Sequence, residues 1–337
     1  MARAPSNVKP RVTFLCYTRP MRAMILAAGE GTRLRPLTAS LPKPMVPLVG
    51  TPLLARTLRW LAGQGVEEVA VNLFHRPQAI PDYFGTSFEG VRLHYFFEDA
   101  LRGTAGGLKA AESIFRGAPF FVIYGDNLVH ADLRRLAGFH AARGGLATVG
   151  LFHHPNPAAA GIVGLDEQGR ITLFVEKPPA SAIFSDLANA GVYVLDPAVL
   201  DAIPPDTACD FGRDIFPRLL EDGATLHGTL LGGYLQDTGT PDAYRQANWD
   251  LLEGRAGQAF PDPALWTGSG ARLGRGVVLR GRNVLGADVK IGDGASLTDC
   301  ILWDGARIGA GVRLERVIAG AGVAVEATVP PGSLLAP

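Results

Sequence analysis

Glycines, a hydroxyl, cations and prolines gather between Leu26 and Pro44, in the stretch LAAGEGTRLRPLTASLPKP. The apolar run Met24-Ile25-Leu26 just before suits a buried strand. It breaks into Gly29-Glu30-Gly31, a loop that can take positive φ and let backbone N–H groups approach an anion. Thr32, Arg33, Arg35 and Lys43 add a hydroxyl and three cations, while Pro36, Pro42 and Pro44 prevent regular helix. Such a loop after a strand describes a polyphosphate site. Neither common phosphate loop matches: no Gly-Lys-Ser/Thr follows, and Leu34 stands where a dinucleotide fingerprint needs its third glycine.

Two carboxylates extend the chemistry. Asp126, in Gly125-Asp126-Asn127, closes the apolar run PFFVIY, and Asp237 closes another run in QDTGTPDAY. Asp126 alone could cap a following helix. Paired with a second strand-end aspartate opposite a basic loop, it suits Mg²⁺, which prefers one or two carboxylates plus phosphate oxygens. The set points to metal-assisted phosphoryl or nucleotidyl transfer. Glu176-Lys177 closes a further strand, offering a charge for phosphate and an acceptor for hydroxyls. Asn189 opens the next with both donor and acceptor.

The elements that must position these groups alternate short apolar runs with helical stretches over residues 21–252, which predicts an α/β sheet with crossover helices. Strands are expected at 22–28, 68–74, 92–98, 119–124, 147–154, 161–165, 171–175 and 191–195. Helices are expected at 51–64, 104–115, 211–222 and 241–252. Residues 253–263 read as a linker. Beyond it, apolar residues recur every six positions at Leu273, Leu279, Leu285, Ile291 and Leu297, slip by one, and resume at Leu302, Ile308 and Leu314. That period predicts a hexapeptide β-helix over 264–337, whose stacked coils share one core.

Composition bounds the function. The 337 residues suit two domains, and 32 acidic against 32 basic residues advertise neither a nucleic-acid nor a membrane partner. Cys16, Cys209 and Cys300 are too few and too scattered for a disulfide framework or zinc site, which fits a reducing, cytoplasmic setting. No run approaches the roughly 20 apolar residues of a membrane span. Residues 1–20 read as a disordered extension, with Met21 a sensible initiator.

The motifs LAAGxGTRLRPLT…PKP, GTAGG, GDN, FVEKP, NAGVYV and DTGTPDAY stand in the order found in sugar-1-phosphate nucleotidyltransferases, and the chain resembles that family over 22–252. The repeat domain extends the likeness to the end. The resemblance implies a Rossmann-like mixed sheet followed by a left-handed parallel β-helix. It implies that Leu26, Ala27, Ala28, Gly29, Gly31, Thr32 and Arg33 line the nucleotide site, the last four at the β- and γ-phosphates. Lys43 would hold the α-phosphate, Arg33 and Asp126 would share in catalysis, and Asp126 and Asp237 would bind Mg²⁺. Lys177 would hold the sugar phosphate, while Glu176, Asn189 and the backbone near Gly161 would read sugar hydroxyls. Ala160 departs from the aromatic residue often found before that glycine.

The base falls to Glu98 and the loop at Gly103 and Thr104. A carboxylate only accepts, and guanine offers adjacent N1–H and N2–H donors, so Glu98 suits GTP. The chain looks most like enzymes that join GTP to mannose 1-phosphate; UTP- or dTTP-dependent relatives, using backbone groups of Ala27 and Gly103, are the alternative. Two rivals come from other classes. An acyltransferase of the β-helix kind would need a histidine base, and all seven histidines lie at or before His227. A non-catalytic regulatory paralogue would have lost Arg33, Lys43, Asp126, Lys177 and Asp237, all present here. The β-helix is the expected surface for a homo-oligomer.

Overall fold

The computed structural model describes residues 21–337, so the expected extension over 1–20 lies outside the described residues. A ten-stranded mixed sheet forms the first domain. At its centre Phe120–Tyr124, Met21–Leu26, Val66–Leu73 and Val91–Phe97 lie side by side and parallel. Leu187–Leu195 joins antiparallel beside Phe120–Tyr124 and leads to the hairpin Gly161–Leu165/Ile171–Glu176. Ala147–His153 branches antiparallel from the same strand, and Leu226–Leu230 pairs parallel with Ala147–His153.

Met21–Leu26 and Phe120–Tyr124, at the middle of the sheet, are mostly apolar and buried because both faces are covered. Ala23, Ile25, Val69, Val71, Phe121 and Ile123 enter one core with Leu54, Leu58 and Leu61 of the helix Leu53–Gly63. Met24, Ala70, Phe120 and Val122 enter the opposite core with Leu108, Phe115 and Phe216.

Several local expectations shift. The first helix starts at Leu53, because Thr51–Pro52 pairs back onto Pro47–Leu48. The helix expected over 104–115 is two, Gly103–Ala110 and Glu112–Phe115, divided at Ala111. The stretch from Phe211 begins as a wider turn, Phe211–Ile215, before the α-helix Phe216–Glu221; Pro217 sits in its first turn, where a missing N–H costs least. Asp126 caps no helix. The chain runs on into Asn127–His130, which pairs antiparallel with Tyr234–Asp237 and sets Asn127 opposite Asp237. The helix Leu133–Arg143, unforeseen in the sequence, follows with Asp132 as its cap.

The repeats fold into three parallel sheets wound as a β-helix. Leu273 stands beside Ile291 and Ile291 beside Ile308, coils of 18 and then 17 residues. The slipped register is the lost residue at the corner of Asp299, whose φ is 52°. Leu285, Ile291, Leu297, Leu302, Ile308 and Leu314 are buried as the period predicts, but Leu273 is 45% exposed because no coil precedes it. The β-helix also docks on the first domain. Leu34, Leu37, Val46, Leu48 and Tyr244 share one apolar cluster with Val284, Ile301, Trp303 and Ile318.

Candidate active site

The four parallel strands end at one rim, the usual ligand position in an open α/β sheet. A cavity of about 290 Å³ opens there, lined by Leu26, Ala27, Ala28, Gly29, Lys43, Glu98, Gly103, Thr104 and Asp126 among the residues singled out from sequence. Asn72, Leu101, Tyr124 and Asp210 line it as well.

Gly31 holds φ 63°, and a Cβ there would stand 3.0 Å from Lys43 Cβ, so the loop folds back on the lysine stem only with glycine. The Thr38 hydroxyl donates to the Gly31 carbonyl at 2.8 Å. No atom stands within 4 Å of a Cβ built on Gly29, which leaves that backbone open to the cavity.

Lys43 is the centre of charge. Its side chain is 6% exposed, and Nζ donates to Asp126 Oδ2 at 2.6 Å while lying 3.6 Å from Asp237 Oδ1. Arg33 reaches Asp237 Oδ2 at 3.9 Å, largely in solvent. The two strand-end aspartates are thus brought together around one cation. Among the described residues no cluster of three or more His, Cys, Asp or Glu groups forms a metal cage. Two carboxylates flanking an ammonium fit Mg²⁺ completed by phosphate oxygens, rather than an all-protein site.

Glu98 is 7% exposed, and its carboxylate is already engaged. Oε1 accepts from Asn72 Nδ2 at 2.7 Å and Oε2 from the Arg102 amide at 3.0 Å. Asn72, missed in the sequence, in turn accepts from the Ala27 amide at 2.8 Å. Its one signal was a lone amide inside the apolar run VAVNLF, since a buried polar group needs partners. GTAGG packs against this network. A Cβ on Gly107 would lie 2.5 Å from Asn72 Nδ2, and one on Gly103 2.5 Å from the Cys209 carbonyl. Thr104 is tied to Asp210, whose Oδ1 accepts from its amide at 3.0 Å and its hydroxyl at 3.1 Å.

The sugar-side candidates stand beyond Tyr124 and Asp210, outside the cavity wall. A Cβ on Gly161 would lie 2.5 Å from Glu176 Oε2, and one on Gly212 2.7 Å from the same atom. Burial, opposed by Lys177 and reinforced by Asp210, raises the Glu176 pKa. Lys177 takes φ 47° and projects into solvent, 3.9 Å from Glu176. Asn189 lies inside Leu187–Leu195 rather than opening it; its Nδ2 donates to Tyr193 Oη and its Oδ1 accepts from the Gly191 amide. Tyr193 reaches Tyr124, whose pKa burial pushes up to about 12. Asp210 was missed because an aspartate in a loop carries no signal by itself.

A sheet of this topology, with a glycine loop, a buried lysine and paired aspartates at its rim, defines a nucleotidyltransferase. The nucleotidyl transferase family profile matches residues 22–254, and the chain belongs to that family. Its likeness extends to "Mannose-1-phosphate guanylyltransferase" of Mycobacterium tuberculosis, 36% identical over 89% of this chain and 84% of that one. It extends also to "UTP--glucose-1-phosphate uridylyltransferase" of Synechocystis sp., 30% identical over 87% of this chain and 86% of that one. Among solved structures, a putative glucose-1-phosphate thymidylyltransferase from Bacillus anthracis superposes with a TM-score of 0.62 at 25% identity, over 68% of this chain and 94% of its own. The resemblance to sugar-1-phosphate nucleotidyltransferases read from the motifs is borne out.

Proposed function

We propose that this enzyme transfers the guanylyl group of GTP to mannose 1-phosphate, yielding GDP-mannose and pyrophosphate. The observation that carries the proposal is Lys43 held between Asp126 and Asp237 at the mouth of a cavity that reaches Glu98. Gly29, Gly31, Thr32 and Arg33 bind the β- and γ-phosphates; Lys43 takes the α-phosphate, and Arg33 and Lys43 neutralise charge as it develops. Asp126 and Asp237 hold Mg²⁺, which supplies charge neutralisation at the phosphates. Lys177 anchors the sugar phosphate, and Glu176, Asn189 and Gly161 read the sugar. The sugar-phosphate oxygen bonds the α-phosphorus in line as the bond to the bridging oxygen breaks, so positioning supplies most of the catalysis.

Guanine is favoured by Glu98. A carboxylate has about four acceptor positions; Asn72 and Arg102 occupy one on each oxygen, which leaves capacity for N1–H and N2–H. The Ala27 amide is spent on Asn72, which weakens the alternative of base selection by that amide. The 36% identity to a mannose-1-phosphate guanylyltransferase supports the same choice. A cytoplasmic setting fits the buried, unpaired Cys209 and Cys300; among the described residues no helix is long and apolar enough to cross a membrane. Exposed Leu273 and Val278 on the first coil support self-association through the β-helix.

A pyrophosphate-release screen tests the proposal by crossing GTP, UTP, dTTP, ATP and CTP with mannose and glucose 1-phosphates. GTP with mannose 1-phosphate should turn over fastest, and EDTA should abolish release until Mg²⁺ is restored. Preference for UTP or dTTP would transfer the assignment to the alternative substrates, and no release with any pair would favour a regulatory protein.

A further inference from the structure

The β-helix lies against the segment that carries Lys43, and its contacts there are specific. Pro47, four residues past Lys43, offers its carbonyl to Tyr244 Oη, which donates to it while accepting from Trp303 Nε1 of the β-helix at 3.0 Å. Tyr244 is fully buried. One helical turn on, Asn248 Oδ1 accepts from the Val49 amide at 2.8 Å, and Asn248 Nδ2 returns to the Tyr244 carbonyl. Arg245, between them, donates to the Arg316 and Gly332 carbonyls of the β-helix at 2.9 Å each. Gly50 lacks a side chain where the Trp266 ring sits.

Tyr244, Arg245 and Asn248 stand on one helix, Pro241–Leu252, entered directly from Asp237 through Thr240. The same helix therefore fixes both ends of the ion-pair cluster. Its start follows the Asp237 carboxylate, and its buried face grips the strand after the Lys43–Met45 turn. A buried lysine has little freedom to correct an error in its own backbone, and a misplacement of about 1 Å can cost on the order of a hundredfold in rate.

We propose that Trp303 and Tyr244 are positioning residues for Lys43, through which the β-helix sets the register of residues 43–49 and hence the nucleotide half of the active site. The β-helix is then part of the catalytic architecture, although none of its residues lines the cavity. This rests on the function proposed above for Lys43.

The test uses the full chain and two substitutions that keep an aromatic side chain while removing the hydrogen-bonding atom, Tyr244→Phe and Trp303→Phe. Hydrogen exchange is followed over 43–49, and steady-state kinetics are measured with the best NTP and sugar 1-phosphate. Both variants should exchange faster across 43–49. They should also lose about tenfold in kcat, with the KM for sugar 1-phosphate unchanged and the Tm within a few degrees of wild type. Unaltered exchange over 43–49 would overturn the proposal, as would loosened exchange with unaltered kcat, or a uniform loss in both substrates that tracks a fall in Tm. Exchange needs no turnover, so a wild-type chain inactive with every substrate pair would condemn the functional proposal while leaving this one measurable. Tyr244→Phe removes a single oxygen and supplies the answer should Trp303→Phe fail to fold.

Discussion

Lys43 is a cation buried between two anions, and its energetics differ from those of the exposed pairs elsewhere on the chain. An exposed pair such as Arg59–Glu89 contributes roughly 0–1 kcal/mol. Removing a buried partner leaves the remaining charges uncompensated. Lys43→Ala would set Asp126 and Asp237 against each other without their shared ammonium, and Asp126→Ala would leave the ammonium with Asp237 alone and delete half of the proposed metal pair. Each substitution is expected to lower kcat by about 10²–10³-fold, the usual loss of a transition-state charge partner, with the far-ultraviolet dichroism of a folded chain. Near-normal pyrophosphate release from either folded variant would remove these residues from the mechanism. Glu98 is a different case: its carboxylate already holds Asn72 and the Arg102 amide, so the proposed contact to the base would share a side chain that also serves the fold.

At the scale of elements, the helix Gly103–Ala110 shows how glycine serves a site without being in the chemistry. Gly103 needs φ 69°, and Gly106 and Gly107 let the helix lie against Thr207 and the Asn72–Glu98 pair. Gly107→Ala would raise helix propensity by about 1 kcal/mol, yet its Cβ would fall 2.5 Å from Asn72 Nδ2 and 2.9 Å from Glu98 Oε1. Overpacking of that kind costs about 1–3 kcal/mol. The substitution is expected to raise the KM for the NTP several-fold and leave that for the sugar 1-phosphate unchanged; an improved Tm with unchanged kinetics would show that the pair has room to move. The pairing of Asn127–His130 with Tyr234–Asp237 does comparable work for Asp126 and Asp237, the proposed metal ligands. Residues 126 and 237 are distant in sequence, and this pairing, extended by Thr238 donating to the Asp126 carbonyl, brings their carboxylates to the same lysine.

For the whole molecule, acid lability should come from two buried histidines far from the site. His140 bonds to the Thr148 hydroxyl at 2.9 Å, and His227 stands beside Thr148 across the paired strands with Nδ1 unpartnered. Burial lowers both pKa values; Asp196 opposes it for His140, and the Gly144 backbone opposes it for His227. A depressed histidine pKa means that the unfolded chain binds protons the folded chain refuses, so stability is complete above about pH 6.5 and falls as the pH drops below it. The Tm should therefore be lower at pH 5 than at pH 7, and His227→Leu should flatten that slope. An identical slope in the variant would place the lability elsewhere.

The parts whose signals are local were legible along the chain. Strands buried on both faces read as apolar runs, the six-residue period announced the β-helix, and glycine loops with strand-end Asp126, Glu176 and Asp237 marked the rim, because backbone freedom, side-chain period and charge are properties of adjacent residues. The sequence could not show that Asn72 and Asp210 shape the cavity, that Asn189 spends both amide atoms on its own strand, or that Lys43 sits between the aspartates. Those facts depend on partners remote along the chain, and only tertiary packing chooses them. The same holds for the β-helix. Its period foretold the coil, but that its Trp303 would meet Tyr244 beneath the Lys43 segment was decided by the shared core of Leu34, Leu37, Ile301 and Ile318, whose burial joins the two domains.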